Sequence, residues 1–372
     1  MLLQQKKLFK MTMLRGLYTI MLLFAGYLIG YYHHMMNIPL SESQMPGIEE
    51  KEKILPKSFN NKSKLMEYLN DIYGKKILSG QQVYQDSLEV EAIYQMTGKK
   101  PALLGFDFMD YSPSRVEYGT EGMDTELAIQ WWREGGLVTF CWHWNAPVGL
   151  IDQEPDRPWY RGFYTEATTF NFTNGIENQN SEEYALLIRD IDTIAEELKK
   201  LQKEGVPVLW RPLHEASGGW FWWGSQGPEP YKQLWRMMYN RLTYHHGLDN
   251  LIWVWNGEDP NWYPGDDVVD IVGIDIYGEK LDYSPREEEF KTAETYANEY
   301  RMVALTETGV MPDPDLLVQT GSNWLWFLTW SGELVLAKDQ KSYSEEYTEA
   351  KMLKKVYQHE YVITKDELPR FQ

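Results

Sequence analysis

Val206-Pro-Val-Leu-Trp-Arg-Pro-Leu-His-Glu215, running on into Ala216-Ser-Gly-Gly-Trp-Phe-Trp-Trp-Gly224, is the stretch on which the reading of the fold turns. It opens as an apolar, β-rich run, closes on a carboxylate and passes into a glycine-bounded aromatic loop. On either side lie Glu182–Glu204 and Glu229–His245, both with apolar residues at the i, i+3, i+4 spacing of an amphipathic helix. A strand between two helices is one βα unit, and the alternation recurs along the chain. Eight strand-like runs are readable: Ile77–Gln82, Ala102–Asp107, Leu137–Trp144, Val206–Glu215, Leu251–Asn256, Ile271–Tyr277, Met302–Thr308 and Trp324–Trp330. With helical stretches such as Thr125–Glu134 between them, they predict an α/β fold, a closed (β/α)8 TIM barrel in a single domain. An open doubly wound sheet is the rival. No G-x-G-x-x-G or P-loop follows the first run, which removes the usual reason for that fold. The lack of a short internal repeat excludes solenoids and propellers.

Composition narrows the partner. Sixteen Trp and 25 Tyr in 372 residues exceed what a core of this size requires, and flat rings with polar edges suit stacking on sugars, although an aromatic-rich core is the plainer explanation. A formal net charge of -19 argues against nucleic acid and anionic lipid headgroups, because phosphate recognition needs clustered Lys and Arg. A neutral polymer fits better. The single cysteine, Cys141, allows no intramolecular disulfide and no cysteine-based metal cluster, and is expected to be a buried strand residue.

Lys6, Lys7, Lys10 and Arg15 precede an uncharged apolar stretch from Gly16 to Tyr32, so residues 1–32 read as a signal peptide or signal anchor. Export follows as the expectation: a periplasmic, extracellular or N-terminally membrane-anchored protein, touching the membrane only through that segment. No Cys follows the apolar stretch, which excludes a lipoprotein. Residues 33–58 are polar and Pro-bearing and read as a linker, leaving 59–372 for the catalytic domain, expected as a monomer.

In a (β/α)8 barrel the active site gathers at the carboxyl ends of the strands. Glu215 ends the fourth run and Glu307 the seventh. Such a pair meets the need of glycoside hydrolysis for one carboxyl that donates a proton and one that attacks as the anion. A lone strand-end Glu is more often solvated or a cap partner. Strand alternation would put Arg211, Leu213 and Glu215 on one face, bringing a fixed cation to the mouth, where it would keep its contacting carboxylate ionised; Glu307 is the expected contact, and a purely structural ion pair the alternative. His214-Glu215 does not make a zinc motif, because H-E-A-S-G lacks the second His one helical turn on. His143, within Trp-His-Trp, is expected as a hydrogen-bonded pocket residue. No G-x-S-x-G elbow supports a serine nucleophile. Of the four aromatics in the loop after Glu215, Trp220 is expected to face the sugar. No metal and no cofactor is implied, since protons and a covalent sugar ester suffice.

The sequence resembles family-26 glycoside hydrolases nearly end to end beyond the linker. The resemblance rests on Trp-Arg-Pro-Leu-His-Glu, then Gly-Gly-Trp-Phe-Trp-Trp-Gly, Gly-Ile-Asp-Ile-Tyr and Thr-Glu-Thr-Gly in the expected order. It implies Glu215 as acid/base and Glu307 as nucleophile of a retaining, double-displacement enzyme cleaving β-1,4-mannosidic bonds in mannan, galactomannan or glucomannan. It further implies His214 beside the sugar in the subsite before the scissile bond, Trp220 as a sugar platform and Tyr277 as the tyrosine bonding the nucleophile. Trp330 would floor that subsite, with Trp326 an alternative of the same parity, and His143 would line its outer side. Asp275 shares the strand face of Tyr277 and is expected to be structural. The aromatic insertion from Gly149 to Asn180 is too long to be an idle connection and is expected to wall a subsite. Two further readings stay open: the same chemistry on β-1,3-xylan or mixed-linkage β-glucan, and a barrel that binds glycans without turnover.

Overall fold

Each strand of this chain carries apolar side chains on both faces, as strands buried between a barrel interior and covering helices must. The computed structural model describes residues 57–84 and 87–371. The targeting segment and nearly all of the linker lie outside the described residues. The first described helix, α1 (Lys57–Ile72), begins two residues before the expected linker boundary. Then follow β1 (Ile77–Gln82), α2 (Leu88–Thr97), β2 (Leu103–Asp107), a short α3 (Pro113–Val116), α4 (Asp124–Arg133) and β3 (Leu137–Cys141). After a long connection come α5 (Thr173–Glu177), α6 (Glu182–Lys203), β4 (Val208–Arg211), α7 (Pro228–Asn240) and β5 (Leu251–Trp255). The chain continues through β6 (Ile271–Ile276), α8 (Glu287–Ala293), β7 (Met302–Thr308), α9 (Pro314–Thr320), β8 (Trp326–Thr329), α10 (Ala350–Gln358) and β9 (Val362–Ile363).

Strands β1 to β8 pair in parallel, each with its sequence neighbours, and β1 closes the ring by pairing with both β8 and β2. This is the expected closed barrel. The ninth strand was not anticipated from the sequence. Pairing of β1 with β2 begins only at Gly80, so Ile77 and Leu78 keep a free edge, which Val362 and Ile363 cover.

Helix α6 illustrates why the coat forms. Ser181 caps its start by accepting the Tyr184 N–H (3.1 Å), Glu182 and Glu183 occupy the positive end of the dipole, and Lys200 and Lys203 the negative end. Its buried stripe of Leu187, Ile191, Ile194, Leu198 and Leu201 follows the helical period and packs on the barrel. Among the described residues no helix is long and apolar enough to cross a membrane.

Two features of the barrel shape the site. Strand β4 stops at Arg211, four residues before Glu215, because Pro212 has no N–H for the ladder. Strand register also slips at the carboxyl ends of β6 and β7, between Ile274 and Asp275 and again between Leu305 and Thr308. The first slip brings Asp275 level with Glu307.

Candidate active site

The strand-face argument for Arg211, Leu213 and Glu215 does not survive the end of β4. Beyond Pro212 both Leu213 and Glu215 adopt left-handed backbone, φ 52° at each, so their side chains no longer alternate as in a strand. Such conformations cost about 1–3 kcal/mol apiece for non-glycine residues and persist only where the surroundings over-determine them. Here they do. The Tyr231 hydroxyl donates to the Leu213 carbonyl (3.1 Å), the Trp223 indole to the His214 carbonyl (2.8 Å), and the Glu215 N–H reaches both the backbone carbonyl (2.7 Å) and the side-chain Oδ1 (2.9 Å) of Asn256. Asn256 in turn donates to Thr306 Oγ1 on β7 (3.0 Å). The backbone of Glu215 is thereby tied across the barrel.

The aromatic loop does most of its work as structure. Phe221, Trp222 and Trp223 are buried, and the Trp222 indole donates to the Trp144 carbonyl (2.6 Å). Only Trp220 of the four is exposed, at 43%, with its indole N–H donating to Glu215 Oε2 (2.8 Å). Gly218 makes room for it: a Cβ there would lie 1.9 Å from the Trp220 ring. Trp220 thus stands exposed beside Glu215, outside the set of residues that line the cleft, and its neighbours hold the turn in place.

A cleft of ≈ 430 Å³ opens at the carboxyl ends of the strands and is lined by Glu215, Glu307, His143, Tyr277 and Trp330, together with Tyr84, Asp107, Phe163, Tyr164 and Phe221. Glu215 and Glu307, from distant parts of the chain, therefore face one space. Trp330 lines it and Trp326 is buried within β8, which separates the two alternatives. Phe163 and Tyr164 come from the 149–180 insertion, which is laced to the aromatic loop by Thr165 N–H to Trp220 O (2.7 Å) and Trp222 N–H to Phe163 O (3.1 Å). That insertion walls the cleft.

Arg211 and His214 sit behind the cleft lining. Arg211 is 3% exposed; Nη1 donates to Asp275 (2.8 Å) and Nη2 to Glu307. Its guanidinium is thus occupied by two carboxylates and holds the Glu307 carboxyl in place. His214, 1% exposed, meets His143 through the two Nε2 atoms (3.2 Å), while His143 Nδ1 contacts Asp107 (2.5 Å). Burial, then Arg211 and His143, hold His214 well below the usual histidine range, so it is neutral. Burial opposes the charge of Asp107, but His143 and the N–H groups of His143 and Met109 outweigh it and keep Asp107 below the usual carboxylate range.

Glu307 and Glu215 differ in their contacts. Glu307, 4% exposed inside β7, takes the guanidinium of Arg211 on one oxygen and the Tyr277 hydroxyl on the other (2.5 Å). Burial and Asp275 push its carboxyl up, against the pull of Arg211 and Tyr277. Burial, Asp275 and Glu258 push Glu215 up to about 8, with little opposition beyond the Trp220 indole and a more distant Arg211. Several carboxyls around one guanidinium cannot all ionise, and the protons that stay settle where the cation makes no contact. Burial raises both carboxyls; what distinguishes them is contact, since the Arg211 guanidinium and the Tyr277 hydroxyl favour the anion on Glu307 and no cation touches Glu215.

Two residues of this site escaped the sequence reading. Asn256 is a buried polar residue ending β5, for which the run Leu-Ile-Trp-Val-Trp-Asn was the available signal. Glu258, two residues on, had none. Asp275, expected to be structural, is bonded to Arg211 and accepts from Thr306 Oγ1 (2.6 Å). Among the described residues two groups could in principle hold a metal, Asp107/Cys141/His143 and Glu215/Glu258/Asp275. In the first, Asp107 is bonded to His143; in the second, Asp275 is bonded to Arg211.

Barrel, cleft and unequal carboxyl pair together define a glycoside-hydrolase type of site. The chain matches the glycosyl hydrolase family 26 profile over residues 54–367, and it belongs to that family. It is 45% identical over 333 residues to a mannan endo-1,4-beta-mannosidase of Thermothelomyces thermophilus, covering 88% of this chain and 66% of that protein. Among solved structures it resembles the Podospora anserina GH26-CBM35 beta-(1,4)-mannanase (48% identity, TM-score 0.78, 84% of this chain and 67% of that one). It also resembles a beta-mannanase from a symbiotic protist of the termite Reticulitermes speratus, complexed with gluco-manno-oligosaccharide (31% identity, TM-score 0.73, 83% and 95%). The chain spans about half to two thirds of the length of the curated relatives it matches.

Proposed function

We propose that this protein hydrolyses β-1,4-mannosidic bonds in mannan, galactomannan or glucomannan with retention of configuration, Glu215 serving as acid/base and Glu307 as nucleophile. The observation that carries the reading is the asymmetry of contacts of the two carboxyls on one cleft: Glu307 held by Arg211 and Tyr277, Glu215 free of any cation contact. The substrate class follows from the mannosidase names of relatives that align over most of this chain.

In the first step the Glu307 carboxylate attacks the anomeric carbon while Glu215 gives its proton to the departing glycosidic oxygen, leaving a glycosyl ester on Glu307. In the second, Glu215, now the anion, takes a proton from water, which attacks the same carbon and frees Glu307. The Tyr277 hydroxyl and Arg211 steady the charge on Glu307 as it departs from the ester. Trp330 and His143 line the cleft, and the exposed Trp220 offers a stacking face next to the acid. Export through residues 1–32 and a monomeric state belong to the same proposal.

Digestion of mannan, galactomannan, glucomannan, β-1,3-xylan and lichenan with sizing of products tests it. Mannooligosaccharides from the mannans, first released as the β-anomer, are expected. Cleavage confined to xylan or lichenan would overturn the substrate, and no cleavage at all would leave a glycan binder.

A further inference from the structure

The loop after β5 brings an additional acid to the site. Glu258 sits in left-handed backbone (φ 64°), its carbonyl accepting the Tyr296 hydroxyl (3.2 Å). Its Oε1 accepts the N–H of Asp275 (3.2 Å), at the point where the β6–β7 register slips. Carboxyl oxygens of Glu258, Glu215 and Asp275 lie within 4.8 Å of one another. Among the described residues no Lys, Arg or His forms an ion pair with Glu258 or Glu215, because Arg211 is bonded to Asp275 and Glu307.

We propose that Glu258 is a positioning residue: its charge, set beside Glu215, keeps the proton on Glu215 until substrate takes it. The role rests on Glu215 acting as the acid. The groups that face Glu215 are Asp275 on β6, Glu258, Glu307 on β7, Arg211 on β4, and the phenols of Tyr164 and Tyr277. Asp275 and Glu307 are balanced by direct contact with Arg211, whereas Glu258 is not. A like charge about 5 Å away raises a neighbour's proton affinity by roughly one to two pH units at a partly buried site. Burial and Asp275 push Glu258 up as well, so the two glutamates titrate as a linked pair; the Asp275 N–H on Glu258 Oε1 places the first charge of that pair on Glu258 and leaves the proton on Glu215.

A purely structural role predicts otherwise. An amide carbonyl accepts the Asp275 N–H as well as a carboxylate does, so E258Q removes the charge and keeps the anchor, while E258A removes both. The test is a carboxyl-13C NMR titration of the full chain labelled in glutamate, with Glu215 assigned by its loss in E215Q, alongside kcat/KM against pH on galactomannan. In E258Q the Glu215 titration and the descending limb of kcat/KM are both expected to move about one unit to lower pH. At pH 8 this is a loss of up to about tenfold against wild type, larger than any loss at pH 5. A Glu215 titration unmoved in E258Q overturns the proposal. Because the NMR reads Glu215 without substrate, a shifted titration in a protein that spares mannan would uphold Glu258 and remove only the substrate reading.

Discussion

The ends of β4 and β7 each present one glutamate to the same cleft, by opposite means. Glu307 lies within β7, next to the register slip that sets it level with Asp275, and two side chains, Arg211 and Tyr277, hold its charge. Glu215 lies four residues past its strand, on left-handed backbone pinned by Tyr231, Trp223 and Asn256, and its carboxyl receives a single indole N–H. One acid has its charge secured and its backbone relaxed; the other has its backbone secured and its charge discouraged. The contrast teaches that placement and protonation are separate problems in this barrel, solved by different residues.

Removing the charge-bearing side breaks the contrast most. E307A should lower kcat on mannan by about 10^4-fold or more, with azide restoring part of it and yielding the glycosyl azide of inverted configuration. Wild-type activity in that variant would exclude Glu307 from the chemistry. E215A should lose roughly 10^2- to 10^4-fold on mannan yet far less on an aryl mannooligoside whose leaving group needs no proton. Equal losses on both substrates would deny Glu215 the role of acid.

Tyr277→Phe takes one of two donors from Glu307. A bond to a charged group is worth about 1.5–3 kcal/mol, so kcat should fall roughly 10- to 100-fold, with the ascending limb of the pH profile moving up. N256A attacks placement instead: it leaves the Glu215 N–H short of one acceptor and should cost about 1–3 kcal/mol in chemical denaturation together with a fall in kcat. An effect on stability alone would show that Asn256 does not position the acid.

Stability should also follow the raised carboxyl. Glu215 binds its proton more tightly folded than unfolded, so its contribution is full below the ordinary glutamate range and is lost as pH rises through about 8. Wild-type Tm should therefore drop more between pH 5 and 8 than that of E215Q, which calorimetry can measure. The smallest effect belongs to W220F. It keeps a ring but removes the N–H that favours the Glu215 anion, so the descending limb should move slightly to higher pH with kcat changed less than about threefold.

Much of this site was legible in one dimension, and the failures have physical causes. Glu307 could be read because it stands at the carboxyl end of an apolar run that is a strand, although the register slips beside it. Glu215 was reached by the right residue through the wrong geometry: Pro212 ends the ladder, so the alternation that seemed to align Arg211 with Glu215 stops where it was needed. Arg211 meets Glu307 as its residue type suggested, though across the barrel and not along one strand face, and His214, placed beside the sugar by the resemblance, closes on His143. Glu258 carried no signal, since a Gly-Glu-Asp-Pro turn reads as a solvated loop.

Apolar runs alternating with amphipathic helices are a local property, set by burial one residue at a time, and a linear reading reaches the barrel and its carboxyl-end acids. Which acid keeps the proton is not local. It depends on Arg211 meeting Glu307, 96 positions away, and on Asp275 from β6 and Glu258 from the loop after β5 crowding Glu215. Electrostatic energy falls with distance through space, and only the closed barrel sets those distances.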